Sequence, residues 1–242
     1  MSEEAIKKIL ITGANGFIGG SLMRYYQNHG QDVVGVDLIG NGDNIVEGDI
    51  SQPETISQQL QECDVIIHTA ALVSNAMQDS DMWQVNVLAT RNLIQAAKEN
   101  KVRRFVQISS IVAYGNSAEG ELDETHPVHA DGGSYVLTKL ASEHVVLSEQ
   151  AKDDIEVVII RPGDAYGPGS RPWIIAPLEA IAKNQFMLPE KGEGFFRPIY
   201  IDDLVRGIAM ASRHPDADGE IFNLSCEGYM FTKDYFTPHY QW

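Results

Sequence analysis

The chain is poor in groups that could staple it or coordinate a metal. Cys63 and Cys226 are the only cysteines in 242 residues. They lie far apart and lack the paired spacing of a zinc site, so neither a disulfide framework nor a structural metal is expected. Positive charge is also scarce: 18 Lys and Arg face 34 Asp and Glu, a formal net charge of −16. Nucleic acid and anionic membrane both need a positive surface, so neither is expected as a main partner. Simple solubility accounts for the acidity. No apolar run reaches bilayer-spanning length. The N-terminus, Met1-Ser2-Glu3-Glu4, is acidic where a signal peptide is basic. A cytoplasmic protein is the expectation. Asn223-Leu224-Ser225 matches a glycosylation sequon but falls in a predicted strand and is read as accidental. There is no internal repeat and no low-complexity segment.

What the chain does have is a rhythm. Strands are predicted at Lys8–Thr12, Asp32–Asp37, Val65–His68, Arg104–Ser109 and Ile155–Ile160. Helical spacing fills Phe17–His29, Pro53–Gln61, Asp81–Glu99 and Ser134–Gln150 between them. Near-continuous apolar strands alternating with helices predict an α/β protein: a doubly wound, Rossmann-type parallel sheet covered on both faces. Such sheets bind ligands at the carboxyl ends of their strands. After Arg161-Pro162, Gly163, Gly167, Pro168, Gly169 and Pro172 crowd into loops. A helix at Ile174–Lys183, a strand at Phe196–Ile201, a helix at Asp202–Ser212 and a strand at Glu220–Leu224 follow. Residues 1–162 are therefore expected to form a cofactor domain, and 163–242 a small substrate lobe interwoven with its sheet.

The two long helices, 81–99 and 134–150, are apolar over more than one stripe. In the second, Val136, Leu137, Leu140, Ala141, Val145, Val146 and Leu147 cover over half the circumference. One face packs on the sheet; the other calls for a partner subunit, or for burial under the substrate lobe.

The first strand runs into Thr12-Gly13-Ala14-Asn15-Gly16-Phe17-Ile18-Gly19. Glycines between a strand and a helix form a dinucleotide turn: Gly13 for the bend, Gly16 for approach to a pyrophosphate, Gly19 for close helix packing. The helix N-terminus offers amide donors to the phosphates. No Lys follows the turn, which removes a P-loop triphosphatase. Asp37 ends the second strand, where a carboxylate accepts ribose hydroxyls and repels a 2′-phosphate. No Arg follows it, so NAD is favoured over NADP. Asp49 and Ile50 fall near the adenine in this layout, with Asp49 equally readable as a plain turn residue.

Tyr135 and Lys139 stand one helical turn apart, and Ser110 closes the fourth strand. A free phenol titrates near 10, so a general base at neutral pH needs a shift of about three units, roughly 4 kcal/mol. The Lys139 ammonium and an oxidised nicotinamide favour the phenolate. Ser110 can hold a substrate oxygen within reach of the tyrosine. The same spacing recurs at Tyr229 and Lys233, but with no serine or cofactor turn before it, so that pair is set aside.

From Ile9 to about Phe236 the chain resembles the extended short-chain dehydrogenase/reductases of the NAD-dependent epimerase/dehydratase group. The resemblance rests on the glycine turn, His68-Thr69-Ala70-Ala71, Asn86-Val87 with Thr90 and Asn92-Leu93, and Ser109-Ser110 with Tyr114-Gly115. It continues through Tyr135 and Lys139, Arg161-Pro162 with Tyr166-Gly167-Pro168-Gly169, Tyr200-Ile201-Asp202-Asp203 and Asn223-Leu224. It implies that Ala70, Ala71, Asn86 and Ser109 lie along the cofactor, and that Arg161, Pro162 and Gly163 lie near its nicotinamide end. It also implies a homodimer through the two long helices and a small-molecule substrate.

Four departures narrow the activity. Ile111 follows Ser110 where dehydratases of the group carry an acid, which disfavours dehydration. Ala89 replaces a common glycine. Phe196 stands where nucleotide-sugar members place a pyrophosphate-gripping arginine, and Arg197 comes one residue late. The chain stops at Trp242 where members commonly continue, so the lobe is expected to be shortened or minimal. Its aromatic end (Tyr235, Phe236, Tyr240, Trp242) is expected to show an unburied face. The expected activity is NAD-dependent oxidoreduction or epimerisation at a secondary alcohol or ketone carbon, of a nucleotide sugar foremost. A hydroxysteroid-type dehydrogenase and a non-catalytic NAD-binding sensor or scaffold are the alternatives.

Overall fold

The computed structural model describes residues 6–41, 44–61, 63–73, 78–115, 120–152 and 154–240. The chain runs β1 (Lys8–Thr12), α1 (Phe17–Asn28), β2 (Asp32–Asp37), β3 (Ile45–Glu47), α2 (Ser57–Leu60) and β4 (Val65–His68). It continues through α3 (Asp79–Trp83), α4 (Thr90–Glu99), β5 (Arg104–Ile108), α5 (Ser134–Gln150), β6 (Glu156–Pro162), β7 (Asp164–Tyr166) and α6 (Ala176–Ala182). It ends with β8 (Phe195–Phe196), β9 (Pro198–Tyr200), α7 (Ile201–Ala211), β10 (Ile221–Leu224), β11 (Met230–Phe231) and α8 (Thr232–Phe236).

Seven of these strands form one parallel sheet in the order β10-β6-β5-β4-β1-β2-β3. Its apolar strands bury both faces because side chains alternate along each strand. Ile9 and Ile11 turn to a core made with Leu22, Met23 and Tyr26 of α1 and Leu204, Val205 and Ile208 of α7. Leu10 turns the other way, to a core with Leu60 of α2, Leu93, Ile94 and Ala97 of α4, and Val146 of α5. From β1 the chain steps outward to β2 and β3, then returns to β4 on the other side. The reversal opens a crevice at the carboxyl ends of β1 and β4, the place such sheets offer a ligand. Among the described residues no helix is long and apolar enough to cross a membrane.

Several elements differ from the sequence reading. The helix expected over 81–99 is α3 and α4 joined by a π-helical turn, Gln84–Ala89. The strand expected at Phe196–Ile201 divides into β8 and β9, and Ile201 already begins α7. Strand β11 and helix α8 follow Tyr229, which the sequence reading placed beyond the last strand. The largest correction concerns the aromatic end. Tyr235 and Phe236 are buried with Phe196 in a third core, packed by Tyr166, Trp173, Ile174, Phe186 and Leu188. These rings cover one another, so the segment carries its own core. Tyr240 is exposed, and Trp242 lies outside the described residues.

Candidate active site

The turn after β1 is shaped by close backbone approaches. Gly13 has a left-handed φ of 68°, and a Cβ there would lie 2.8 Å from Ala70 Cα. A Cβ on Gly19 would lie 2.2 Å from the Gly13 carbonyl oxygen, so a side chain would push α1 away from the turn. The N-cap of α1 is Gly16, which is exposed and supplies no side-chain cap, and the first turn holds no acid. The amides of that turn are thus open to a phosphate. These open amides are of the kind that bind a dinucleotide's phosphates, and the tight contacts leave no room for a side chain at Gly13 or Gly19.

Asp37 ends β2 beside the turn. Its Oδ2 accepts from the Asn15 amide at 2.9 Å and its Oδ1 from Leu38 N at 2.8 Å. The Asn15 carboxamide donates to Ile39 O at 2.7 Å, tying the glycine turn to the loop after β2. Leu38 and Ile39 are 68% and 73% exposed, an apolar shelf beside Asp37 that could carry a flat base. The sequence reading passed over them, since two apolar residues in a loop carry no periodic signal. Phe17 and Ile18 are half-buried and pack against the first core. Asp49 accepts from Ser51 N at 2.8 Å and closes a turn, while Ile50 is buried in the second core. The bonds at Asp49 are those of a turn residue.

At the far side of the crevice the expected catalytic set is assembled. Ser110 stands two residues past the end of β5 and accepts from Val112 N, and Tyr135 lies in the first turn of α5 close enough for the serine hydroxyl to bear on the phenol. The Lys139 ammonium sits 5.9 Å from the Tyr135 ring centroid and donates to Ile108 O at 2.9 Å. Burial lowers the Lys139 pKa to about 8 against the opposing pull of Glu143. Burial also raises the Tyr135 pKa, and the nearby Ser110 hydroxyl only partly opposes it. The sequence reading expected a lowered phenol; in the free protein desolvation dominates instead. Ser109 Oγ, beside the set, is buried with no hydrogen-bond partner among the described residues. Such a group is costly unless something bound satisfies it.

The remaining expected cofactor residues divide. Ala70, in the segment after β4, packs against Gly13 together with Thr69, and Ala71 follows it half-buried. The Asn86 carboxamide is buried and held inside the protein, accepting from Leu72 N at 2.7 Å and donating to Leu72 O and Thr138 Oγ1. Arg161 gives its side chain to Glu143, with 3.0 and 2.7 Å bonds, and to the Tyr114 hydroxyl at 3.0 Å. Pro162 ends β6 and is buried, and Gly163 follows it half-buried. A Cβ on Gly163 would lie 2.3 Å from Arg197 O, so the link between β8 and β9 passes close to it. Asp164 accepts from Arg197 N at 2.9 Å, and burial raises its carboxyl pKa to about 6. The Arg197 guanidinium lies 5.9 Å from the Phe195 and Tyr229 rings and bonds Gly228 O. Phe196 faces the third core, so neither residue reproduces the pyrophosphate-gripping arginine.

Comparison with known proteins gives this geometry its context. A model described as the NAD dependent epimerase/dehydratase family matches residues 9–225. The chain is 30% identical to the low-salt glycan biosynthesis protein Agl12 of Haloferax volcanii, over 89% of this chain and 76% of that protein. It is 26% identical to the decarboxylating sterol-4-alpha-carboxylate 3-dehydrogenase ERG26 of Candida albicans, over 99% of this chain and 73% of that protein. Among solved structures, MoeE5 in complex with UDP-glucose and NAD superposes with a TM-score of 0.87 at 26% identity. That match covers 97% of this chain and 81% of MoeE5.

Proposed function

The chain belongs to the NAD dependent epimerase/dehydratase family, and from that premise we propose that it epimerises a nucleotide sugar at a secondary alcohol carbon. It is an NAD-dependent enzyme of the extended short-chain dehydrogenase/reductase type. The observation that carries the reading is the convergence of Ser110, Tyr135 and Lys139 at the carboxyl end of the sheet, across the crevice from the Gly13 turn.

The Gly13–Gly19 turn, Asp37, Leu38 and Ile39 would hold the adenosine diphosphate half of the cofactor. Ala70, Ser109 and the Pro162–Gly163 backbone would border the remainder. NAD, when bound, supplies a hydride acceptor and a positive ring beside the tyrosine. Ser110 Oγ positions the substrate oxygen, and Tyr135 Oη takes its proton as the carbon is oxidised and returns it on reduction. The Lys139 ammonium favours the phenolate from its place behind the ring. Ile111 leaves no acid at the position dehydratases use, so elimination of water is not part of the reading.

A dehydrogenase acting on an apolar alcohol is the second reading. It is favoured by Phe196, buried where an anion-gripping arginine would stand, and by Arg197, already committed to Gly228 and two rings. The sterol dehydrogenase relative is consistent with it. NADH absorbance separates the two. An epimerase interconverts UDP-hexoses at catalytic NAD without net NADH, whereas stoichiometric NADH release would discard epimerisation. We also read the protein as cytoplasmic and dimeric, with α3, α4 and α5 at the subunit contact. Its net charge of −16 favours a small-molecule partner over nucleic acid.

A further inference from the structure

His68 is fully buried at the end of β4, and the chemistry assigned above does not use it. Its Nδ1 lies 2.7 Å from Thr12 Oγ1 and its Nε2 2.9 Å from Thr90 Oγ1. Thr90 donates its hydroxyl proton to the Asn86 carbonyl at 2.8 Å. That proton being committed, Thr90 can only accept from the ring, so Nε2 carries the hydrogen. Nδ1 is then the acceptor, and Thr12 donates to it. The Thr12 oxygen is left to accept from Ala70 N, 3.4 Å away. Every donor meets an acceptor in one direction only.

We infer that Thr12, His68 and Thr90 form a directed hydrogen-bond relay that registers the catalytic helix α5 against the cofactor turn. At one end lies Ala70, against which Gly13 packs. At the other end lies the π-helical turn Gln84–Ala89, a departure from α-helix of the kind found at functional sites. From that turn the Asn86 side chain reaches Leu72 and Thr138 Oγ1, at 3.1 Å for the latter. Thr138 in turn donates to Tyr135 O at 3.1 Å and immediately precedes Lys139. The relay therefore joins the backbone that cradles the dinucleotide to the turn of helix that presents the acid/base pair. Its three residues are positioning residues. A charged imidazole would put a second N–H against Thr12, and burial holds the ring neutral, with a pKa lowered to about 3.

The inference rests on the cofactor reading of the Gly13 turn, and its test is built to fail separately. Thr90→Val keeps the shape and loses the hydroxyl; Thr90→Ser keeps the hydroxyl. NAD affinity by titration calorimetry is expected to fall about 10-fold in Thr90→Val and to stay within about threefold of wild type in Thr90→Ser. Hydrogen–deuterium exchange at the Ala70 and Leu72 amides should quicken in Thr90→Val alone. Nitrogen NMR of the wild-type imidazole should show the neutral Nε2–H tautomer at pH 7. A protonated ring, an Nδ1–H tautomer, wild-type affinity in Thr90→Val, or equal losses in both variants would each overturn the relay. Should Thr90→Val not fold, Thr12→Val against Thr12→Ser reads the same link from the cofactor side. A wild-type protein that bound no NAD would instead remove the cofactor reading, while exchange and tautomer still report on the relay.

Discussion

At the scale of single residues, the site sets two groups against their ordinary ionisation. Burial raises Tyr135 and lowers Lys139 to about 8, so each ionised form is held less readily than in water. The lysine still carries its charge at pH 7 and loses it as the pH rises through about 8. Tyr135→Phe removes the proton acceptor, and kcat should fall about 10²- to 10⁴-fold with little change in NAD affinity. Lys139→Met removes the charge, so the rising limb of kcat/KM against pH should move up by about one unit or more. An unmoved limb would mean that Lys139 acts only through its bond to Ile108. Asp164 gives a stability test of opposite sign to the usual carboxylate. Its folded pKa, raised to about 6, lies above the unfolded value, so the folded state holds the extra proton between about pH 4 and 6. Stability is lost as the pH rises through that window. Asp164→Asn should abolish the slope and raise stability at pH 7 by on the order of 2 kcal/mol, read from thermal melts at pH 4.5 and 7.

At the scale of elements, α5 is pinned to the sheet by charge as well as by packing. Glu143 and Arg161 are both buried, and their paired bonds join α5 to the end of β6. Removing one member of a buried pair strands the other charge. Glu143→Ala should therefore cost about 3–5 kcal/mol in urea unfolding. A loss under about 1 kcal/mol would show that water reaches Arg161. Helix α5 itself was legible in the sequence at both ends, because its apolar residues recur over 17 residues from Ser134 to Gln150. Strand β2 was equally plain. The three-residue β3 was missed, since Ile45-Val46-Glu47 is too short to show a period. The break between β8 and β9 was hidden for another reason. Phe196 to Ile201 reads as one strand, yet Arg197 N turns to the Asp164 carboxylate instead of continuing a ladder. Nor could spacing show the π-helical turn at Asn86, whose extra residue shifts the helical register. The placement of Tyr135 and Lys139 on one helix after the strand that leads to Ser110 was legible because the spacing is local; their catalytic role is the proposal made above. The Thr12–His68–Thr90 relay joins β1, β4 and α4, which only the fold brings together. Of the aromatic end, Tyr235 and Phe236 were misjudged because Phe196 and Trp173, which cover them, lie far away in sequence, whereas Tyr240 is exposed as expected.

At the scale of the whole molecule, the proposed dimer sets apolar contact against repulsion. Asp79 and Ser134 hydrogen-bond, bringing the starts of α3 and α5 together. One turn further along each helix stand Trp83 and Leu137, 44% and 42% exposed. These two large apolar side chains are the uncovered remainder of the wide stripe read in the sequence. The rest of α5's apolar set is buried or half-buried within the chain. A partner copy would cover the two exposed side chains, but each chain brings a net charge of −16. Exposed like charges repel over about 10 Å at 0.1 M salt and over shorter distances as salt rises. The dimer should therefore tighten with ionic strength, opposite to an interface held by ion pairs. In sedimentation equilibrium, the wild-type dissociation constant is expected to fall about tenfold between about 0.02 and 0.5 M NaCl. Trp83→Glu with Leu137→Glu should give a folded monomer at every salt concentration. A dimer that survived both substitutions would place the contact elsewhere, and one that loosened with salt would rest on paired charges instead of this apolar remainder.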